Sequence, residues 1–518
     1  MAGSQPFCSW HYRRPSGVSE MNDKTIDDPL SGFSQDAPDP LRRIEEAGFW
    51  LEAYRQGVKA DPLRVFQVVD RLDGLVQSHR LELTREYLGS GGRQQSYREQ
   101  RIWNAVVHLA RELAAGYETS LQLFQAGEPN AKAVAPLVPA ITARAIRALT
   151  LVLRWTLLRY AAIEPAFWSR MGALFAYAER QRTMSQRIKV YPGMAGDSTG
   201  RREYLRGLVL AVSGTENMLP ASQVVAERVI ATIAEFFLLH RRPAPGCYFA
   251  VDLLASRPPY RVGDGVAPSR TVRFFGPGDA AVMVERLIER TTHTGVVPPE
   301  LNLVGDSHAG TVLEVLEHLS RQWGPNPPSR SELRQRVLST LNVAHGFPDV
   351  FAAISAEQGS SALDEITEAW TVENESSGGF GAALPAREAD WLAIGTLVAS
   401  KPTWPASWSL GAIRRLSTDD MGRRAVGVQI LARGGVGVEL IPLPLNTESR
   451  PHAGVLLPAD TQTSLAGGEV TLVLYRGIVS WSLSYVMRIH ERSYTVNPRR
   501  VVESGEDFDI VSFAIQSA

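Results

Sequence analysis

Arg330-Ser-Glu-Leu-Arg334-Gln-Arg336 places three guanidinium groups within seven residues. About forty residues later stands Asn374-Glu-Ser376-Ser-Gly-Gly379-Phe-Gly381. Arginine presents a rigid fork of donors that fits phosphate oxygens, and the same fork fits the O6 and N7 acceptors of guanine. The amide oxygen of Asn374 can accept from guanine N–H groups or hold a neighbouring arginine, and the Ser376 hydroxyl can donate to a phosphate. Gly379 and Gly381 let a flat or charged ligand approach the backbone where a Cβ would collide. Taken singly, these are also the features of a solvated arginine linker and an ordinary hairpin turn.

Such groups act together only if strands hold them. Gly324–Ser329 reads Gly-Pro-Asn-Pro-Pro-Ser, the sharpest linker in the chain, and most of the sequence beyond it is strand-like. The runs Val337–Val343, Ile394–Val398, Trp408–Arg415 and Ala425–Leu431 read as strands. Phe347–Glu357 reads as an inserted helix with Phe347, Val350, Phe351 and Ile354 on one side. Further strands are expected at Val436–Ile441, Gly454–Leu457, Glu469–Leu474, Ser480–Ile489 and Phe508–Phe513. They form either a second β-rich unit or an extension of one larger β domain.

Upstream, helical periodicity runs from about Pro40 to Arg241. Ile102, Val106, Leu109, Leu113, Tyr117 and Leu121 recur at spacings of three and four, the stripe a helix turns to a core. Ile44–Tyr54, Ile141–Ile163, Phe167–Lys189, Arg202–Val212 and Val224–His240 continue the pattern, with Arg and Glu on the opposite faces. Cys247–Leu254 and Ser269–Phe275 read as short strands, Ala280–Thr292 and Thr311–Trp323 as helices. The expected organisation is therefore multidomain α+β: a disordered leader over 1–44, an all-α bundle over 45–242, and a small α/β connector over 243–323. A β-barrel over 330–433 and a β-rich unit over 434–518 complete it.

Composition narrows the function. A formal net charge of −1 provides no global field toward nucleic acid or an anionic membrane. Two cysteines, Cys8 and Cys247, build neither a disulfide framework nor a thiolate zinc site. The most apolar helical stretch, around Ala148–Ala162, is interrupted by Arg154 and Arg159, so no membrane span is expected and the chain reads as cytoplasmic. Gly305-Asp306-Ser307 looks like the first block of GDSL-type esterases, but neither His452 nor His490 has an Asp three residues before it. An N-cap accounts for the segment better. The histidines show no H-E-x-x-H spacing, and no G-x-x-x-x-G-K-[S/T] cradle occurs. The reading is a non-enzymatic chain with no cofactor and no metal.

Together, and in this order, the two arginine- and glycine-bearing segments resemble the PilZ domain, a family marked by R-x-x-x-R before its first strand and a [D/N]-x-S-x-x-G loop beyond. Arg330-Ser-Glu-Leu-Arg334 matches the first pattern and Asn374-Glu-Ser376-Ser-Gly-Gly379 the second. Trp408–Arg415 stands in place of the family's G-x-V-x-R strand, bringing in Arg414, and Val426–Leu431 in place of its V-G-V-x-F strand. The resemblance covers roughly Arg330–Arg433. It implies a six-stranded barrel that binds cyclic di-GMP, usually as an intercalated dimer, through Arg330, Arg334, Arg336, Asn374, Ser376, Gly379 and Arg414. The chain departs from the family in a longer interval between motifs, in Arg336 as the arginine next to the strand, and in Asn374 where Asp is commoner. Two readings are open: a cyclic di-GMP receptor whose helical region docks a protein partner, or a PilZ-like interaction scaffold that binds no nucleotide.

Overall fold

The computed structural model describes residues 39–57, 61–89, 97–191, 196–263, 268–303, 308–327, 335–356, 362–384, 391–402, 407–418, 423–444, 450–458 and 468–516. Arg330, Arg334, the Gly305-Asp306-Ser307 segment and residues 1–38 of the expected leader lie outside the described residues.

The helical part comprises α1 (Pro40–Gly57), α2 (Pro62–Leu75), α3 (Gln77–Gly89), α4 (Tyr97–Ala126), α5 (Val138–Leu158), α6 (Pro165–Arg180), α7 (Gly200–Val212) and α8 (Pro220–Ile233). They share one core. Helix α1 begins inside the stretch expected as leader, because the Asp39 carboxylate accepts from the Leu41 N–H at 3.2 Å. Helices α2 and α3 are additional to those expected. Asp61 starts α2 by accepting from Leu63 and Arg64 N–H at 3.0 and 3.1 Å, with Pro62 in the first turn. The expected stripe on α4, from Ile102 to Leu121, is buried throughout. It packs against α1, α2 and α5.

Ala131–Leu158, which contains α5, is long and apolar enough to cross a membrane by length and composition, and 72% of its apolar window is buried inside the fold. Its arginines are not a solvated face. Arg147 reaches Glu203 at 3.3 Å, Glu203 reaches Arg206 at 3.1 Å, Arg206 reaches Glu227 at 2.9 Å, and Glu227 reaches Arg154 at 3.8 Å. This alternating chain ties α5, α7 and α8 together, and each buried charge has an opposite neighbour. Burial alone would raise the Glu227 carboxyl, but Arg154 and Arg206 overcome it and hold the group at about 2.

Three expected helices end early, that over Ile141–Ile163 at Leu158. The one beginning near Phe167 stops at Arg180, and the last stops at Ile233. Leu238–His240 instead becomes β1, since its backbone finds a ladder partner in β4 (Val272–Gly276). With β2 (Phe249–Asp252) and β3 (Tyr260–Arg261) these make a four-stranded antiparallel sheet ordered β1-β4-β2-β3. Helices α9 (Asp279–Thr294) and α10 (Ala309–Trp323) join it to the helical core.

Two closed six-stranded barrels complete the chain. The first has β5 (Gln335–His345), β6 (Thr367–Ser376), β7 (Gly379–Ala383), β8 (Leu397–Pro402), β9 (Ser409–Thr418) and β10 (Arg424–Arg433), ordered β10-β7-β6-β5-β8-β9. The second has β11 (Val436–Pro442), β12 (His452–Leu456), β13 (Glu469–Tyr475), β14 (Tyr485–Ile489), β15 (Arg492–Ser504) and β16 (Phe508–Ile515), ordered β11-β12-β13-β16-β15-β14. Two closed barrels replace the alternative of one enlarged β domain. The expected inserted helix is α11 (Phe347–Ser355). Its Phe347 and Val350 share a buried cluster with Leu397 and Leu410 of the first barrel and Val455, Val473 and Phe508 of the second, with Phe351 and Ile354 packed against it.

Candidate functional site

The floor of the site is set by strand register in the first barrel. Arg336 of β5 lies directly opposite Asn374 of β6, Asn374 opposite Gly381 of β7, Gly381 opposite Gly427 of β10, and Gly427 opposite Arg415 of β9. Directly opposed residues share a face of the sheet. Val426 and Val428, on either side of Gly427, belong to the barrel's interior cluster. Gly427 and the rest of the row therefore lie on the outer face. Four strand spacings of ~4.8 Å carry this row roughly 19 Å around the barrel. Arg336 and Arg415 are exposed at its two ends; between them Asn374 is half-buried and Gly381 and Gly427 are buried.

β-bulges produce this alignment. One interrupts the β5–β6 ladder between Arg336 and Ser339, another β6–β7 between Val372 and Asn374, and a third β10–β9 between Gly427 and Val428. Each adds a residue on one strand and reverses the alternation beyond it. Without the second, Asn374 would follow Trp370 and Val372 into the interior, where both are fully buried.

The segment read as a glycine loop is mostly strand, and its turn is the Ser377-Gly378 pair. The Ser376 hydroxyl donates to the Gly379 carbonyl at 3.3 Å. Ile430 N–H donates to Gly378 O at 2.9 Å and the Arg433 guanidinium donates to Ser377 O at 3.0 Å, so β10 pins the turn. At Gly379 an added Cβ would fall 2.2 Å from the Val428 carbonyl oxygen, so the β7–β10 approach requires glycine.

Of the residues singled out in the sequence, Arg336 and Asn374 are brought together, and Ser376 and Gly379 lie next to them along the same hairpin. Arg414 is the extra residue at the β9–β10 bulge. Its Nε donates to Gln429 Oε1 at 2.8 Å, and its Nη2 pairs with Glu503 of the second barrel. Arg415, not Arg414, completes the row, and sequence reasoning passed over it. The signal was present: Ile413 and Leu416 both face the core, and two inward positions three apart on a strand require a bulge between them.

The site is held on two sides. On one, the Asp507 carboxylate accepts from Phe347 N–H at 2.6 Å and from Leu397 N–H at 2.9 Å, fastening the second barrel to the start of α11 and to β8. Gly395, with φ of 84°, sits so close that a Cβ would lie 2.9 Å from Glu506 N. On the other, Tyr160 leaves the end of α5 with φ of 53° and packs into the first barrel's interior cluster. Its hydroxyl donates to Met218 O at 2.8 Å, and its carbonyl accepts from Thr418 N–H, at the end of β9, at 3.0 Å. Strand β9 thus runs from Arg415 to a direct hydrogen bond with the helical region.

Inside the barrel His345 stacks on Trp391, with ring centroids 3.6 Å apart. Burial lowers its pKa despite the opposing pull of Glu368, whose carboxylate is 3.8 Å away.

A helical region joined to tandem six-stranded barrels, the first with a polar row on its outer face, defines the class of chain. Residues 35–244 match the family model described as cyclic-di-GMP receptor FimW, N-terminal domain. No curated protein and no solved structure matches. The match covers α1–α8 and β1 and ends before α9, α10 and the barrels.

Proposed function

We propose that this chain is a non-catalytic, cytoplasmic receptor for cyclic di-GMP, with the dinucleotide held on the outer face of the first barrel. The observation that carries the reading is the register that sets the exposed Arg336 directly opposite Asn374, with the exposed Arg415 further along the same outer row, so that guanidinium forks and an amide share one face of the barrel. Phosphates and guanine edges match the forks, and Asn374 matches a guanine N–H edge. Two further observations support it. The Asn374–Gly379 segment, which carries the second PilZ-like motif, lies on this barrel, and the helical region matches the N-terminal domain of a family described as a cyclic-di-GMP receptor.

Arg330 and Arg334 precede Arg336 by six and two residues and, by the PilZ resemblance, are further guanidinium partners for the phosphates and guanines. Charge-assisted hydrogen bonds contribute about 1.5–3 kcal/mol each. The output passes through β9 to Tyr160, so ligand binding at Arg415 changes how firmly the barrel holds the helical region, which docks a protein partner.

Hydrogen exchange on the full chain tests this. Cyclic di-GMP slows amide exchange in β6, β7 and β10 and at Thr418. Protection that leaves Thr418 and the first barrel untouched rejects the reading.

A further inference from the structure

A cleft of about 770 Å³ opens between the end of α6 and the small sheet, far from any residue of the barrel row in sequence. Five guanidinium groups line it, those of Arg180, Arg241, Arg242, Arg270 and Arg273, against the single carboxylate of Glu179. Arg273, 5% exposed, donates to Glu179 through Nε at 3.1 Å and Nη2 at 2.5 Å, and Arg241 Nη2 lies 2.9 Å from the same carboxylate. Burial opposes the Glu179 charge, but these two arginines prevail and lower its pKa. That triad is structural. It uses up the acid and leaves Arg180, Arg242 and Arg270 with no carboxylate within 4 Å among the described residues.

The wall beside them is fixed. Gly172 of α6 lets the β2 end approach until the Leu253 carbonyl oxygen sits 2.0 Å from where a Cβ would be. The next residue, Leu254, is 63% exposed and adds an apolar surface to the basic one.

We infer that this cleft is a second binding site, specific for a small phosphate-bearing molecule. Like charges gathered in a concavity repel one another and focus a positive potential, which an anion relieves. Arginine forks suit phosphate oxygens in particular. The volume is that of a small-molecule site and not of a groove for a polymer, and the net charge of −1 over the whole chain marks the surplus as local. Leu254 would cover the uncharged part of the ligand. A soluble phosphate ester and a phospholipid headgroup present the same chemistry.

The test uses the full chain, inorganic pyrophosphate, and vesicles of phosphatidylglycerol. Calorimetry is expected to give saturable pyrophosphate binding, weakened at least tenfold by Arg242→Gln with Arg270→Gln at an unchanged melting temperature. Neither arginine takes part in the triad, so the fold is preserved. Binding persists in an Asn374→Ala, Arg415→Ala chain, which separates this site from the barrel whether or not the barrel binds cyclic di-GMP. Vesicle co-sedimentation lost in the Arg242, Arg270 variant assigns the headgroup as the source. The inference is overturned if neither probe binds, if the cleft variant binds as well as the parent, or if only the barrel variant loses binding.

Discussion

Arg414 of the first barrel is ion-paired with Glu503 of the second, and the same guanidinium holds Gln429 on the neighbouring strand. A residue expected to touch ligand is thus engaged in joining the barrels beside the candidate site. Both partners are about one-third exposed, so the pair contributes only about 0.2–1 kcal/mol. Arg414→Ala and Glu503→Ala are expected to lower the unfolding free energy by similarly small amounts and to weaken cyclic di-GMP binding equally. A much larger loss with Arg414→Ala would show that its guanidinium contacts the ligand directly.

Tyr160 carries a heavier load. Its ring is buried in the first barrel's interior cluster. Tyr160→Ala is expected to destabilise the fold by about 3–5 kcal/mol, in the range for truncating a buried aromatic ring. Tyr160→Phe, which keeps the ring and loses the hydroxyl's bonds to Met218 and Gln223, is expected to lose about 0.5–1.5 kcal/mol per bond. Urea unfolding of the two variants checks the ordering.

Gly379 separates architecture from recognition. Gly379→Ala pushes a methyl group against the Val428 carbonyl and is expected to cost about 1–3 kcal/mol in the absence of any ligand. A thermal melt of the ligand-free protein decides this. An unchanged melting temperature would mean that the β7–β10 approach yields without strain.

His345 gives the first barrel a pH dependence of known sign. Burial, named first, lowers its pKa in the folded state, and Glu368 and Asp349 oppose without reversing it. The unfolded chain therefore takes up the proton first. Stability is full above the unfolded value of about 6.5 and declines as pH falls below it toward the lower folded pKa. His345→Gln removes this component. Fluorescence of Trp391, against which the imidazole stacks, is expected to follow the titration in the parent and not in the variant.

The sequence made the barrels legible because Val, Ile and Leu alternate with polar residues along β9, β10 and β13, and the α4 stripe because its period matches a helix. It concealed β15, whose Arg499, Arg500 and Glu503 leave no apolar alternation to mark a strand; pairing with β14 and β16 makes it one. It also concealed which arginine faces outward. Bulges change side-chain alternation without changing composition, so Arg414 and Arg415 look equivalent until the register to Gly427 is known. Arg336 and Asn374, nearly forty residues apart, announced themselves by residue type, but only closure of β5 on β6 makes them neighbours.

The most direct test of the outer-face row is calorimetric titration of cyclic di-GMP into the full chain and into its Asn374→Ala and Arg415→Ala variants. Each substitution removes about 1.5–3 kcal/mol of charge-assisted or polar contact, so each is expected to weaken saturable binding roughly 10- to 100-fold. A parent protein that takes up no cyclic di-GMP, or variants that bind it as tightly as the parent, would contradict the account.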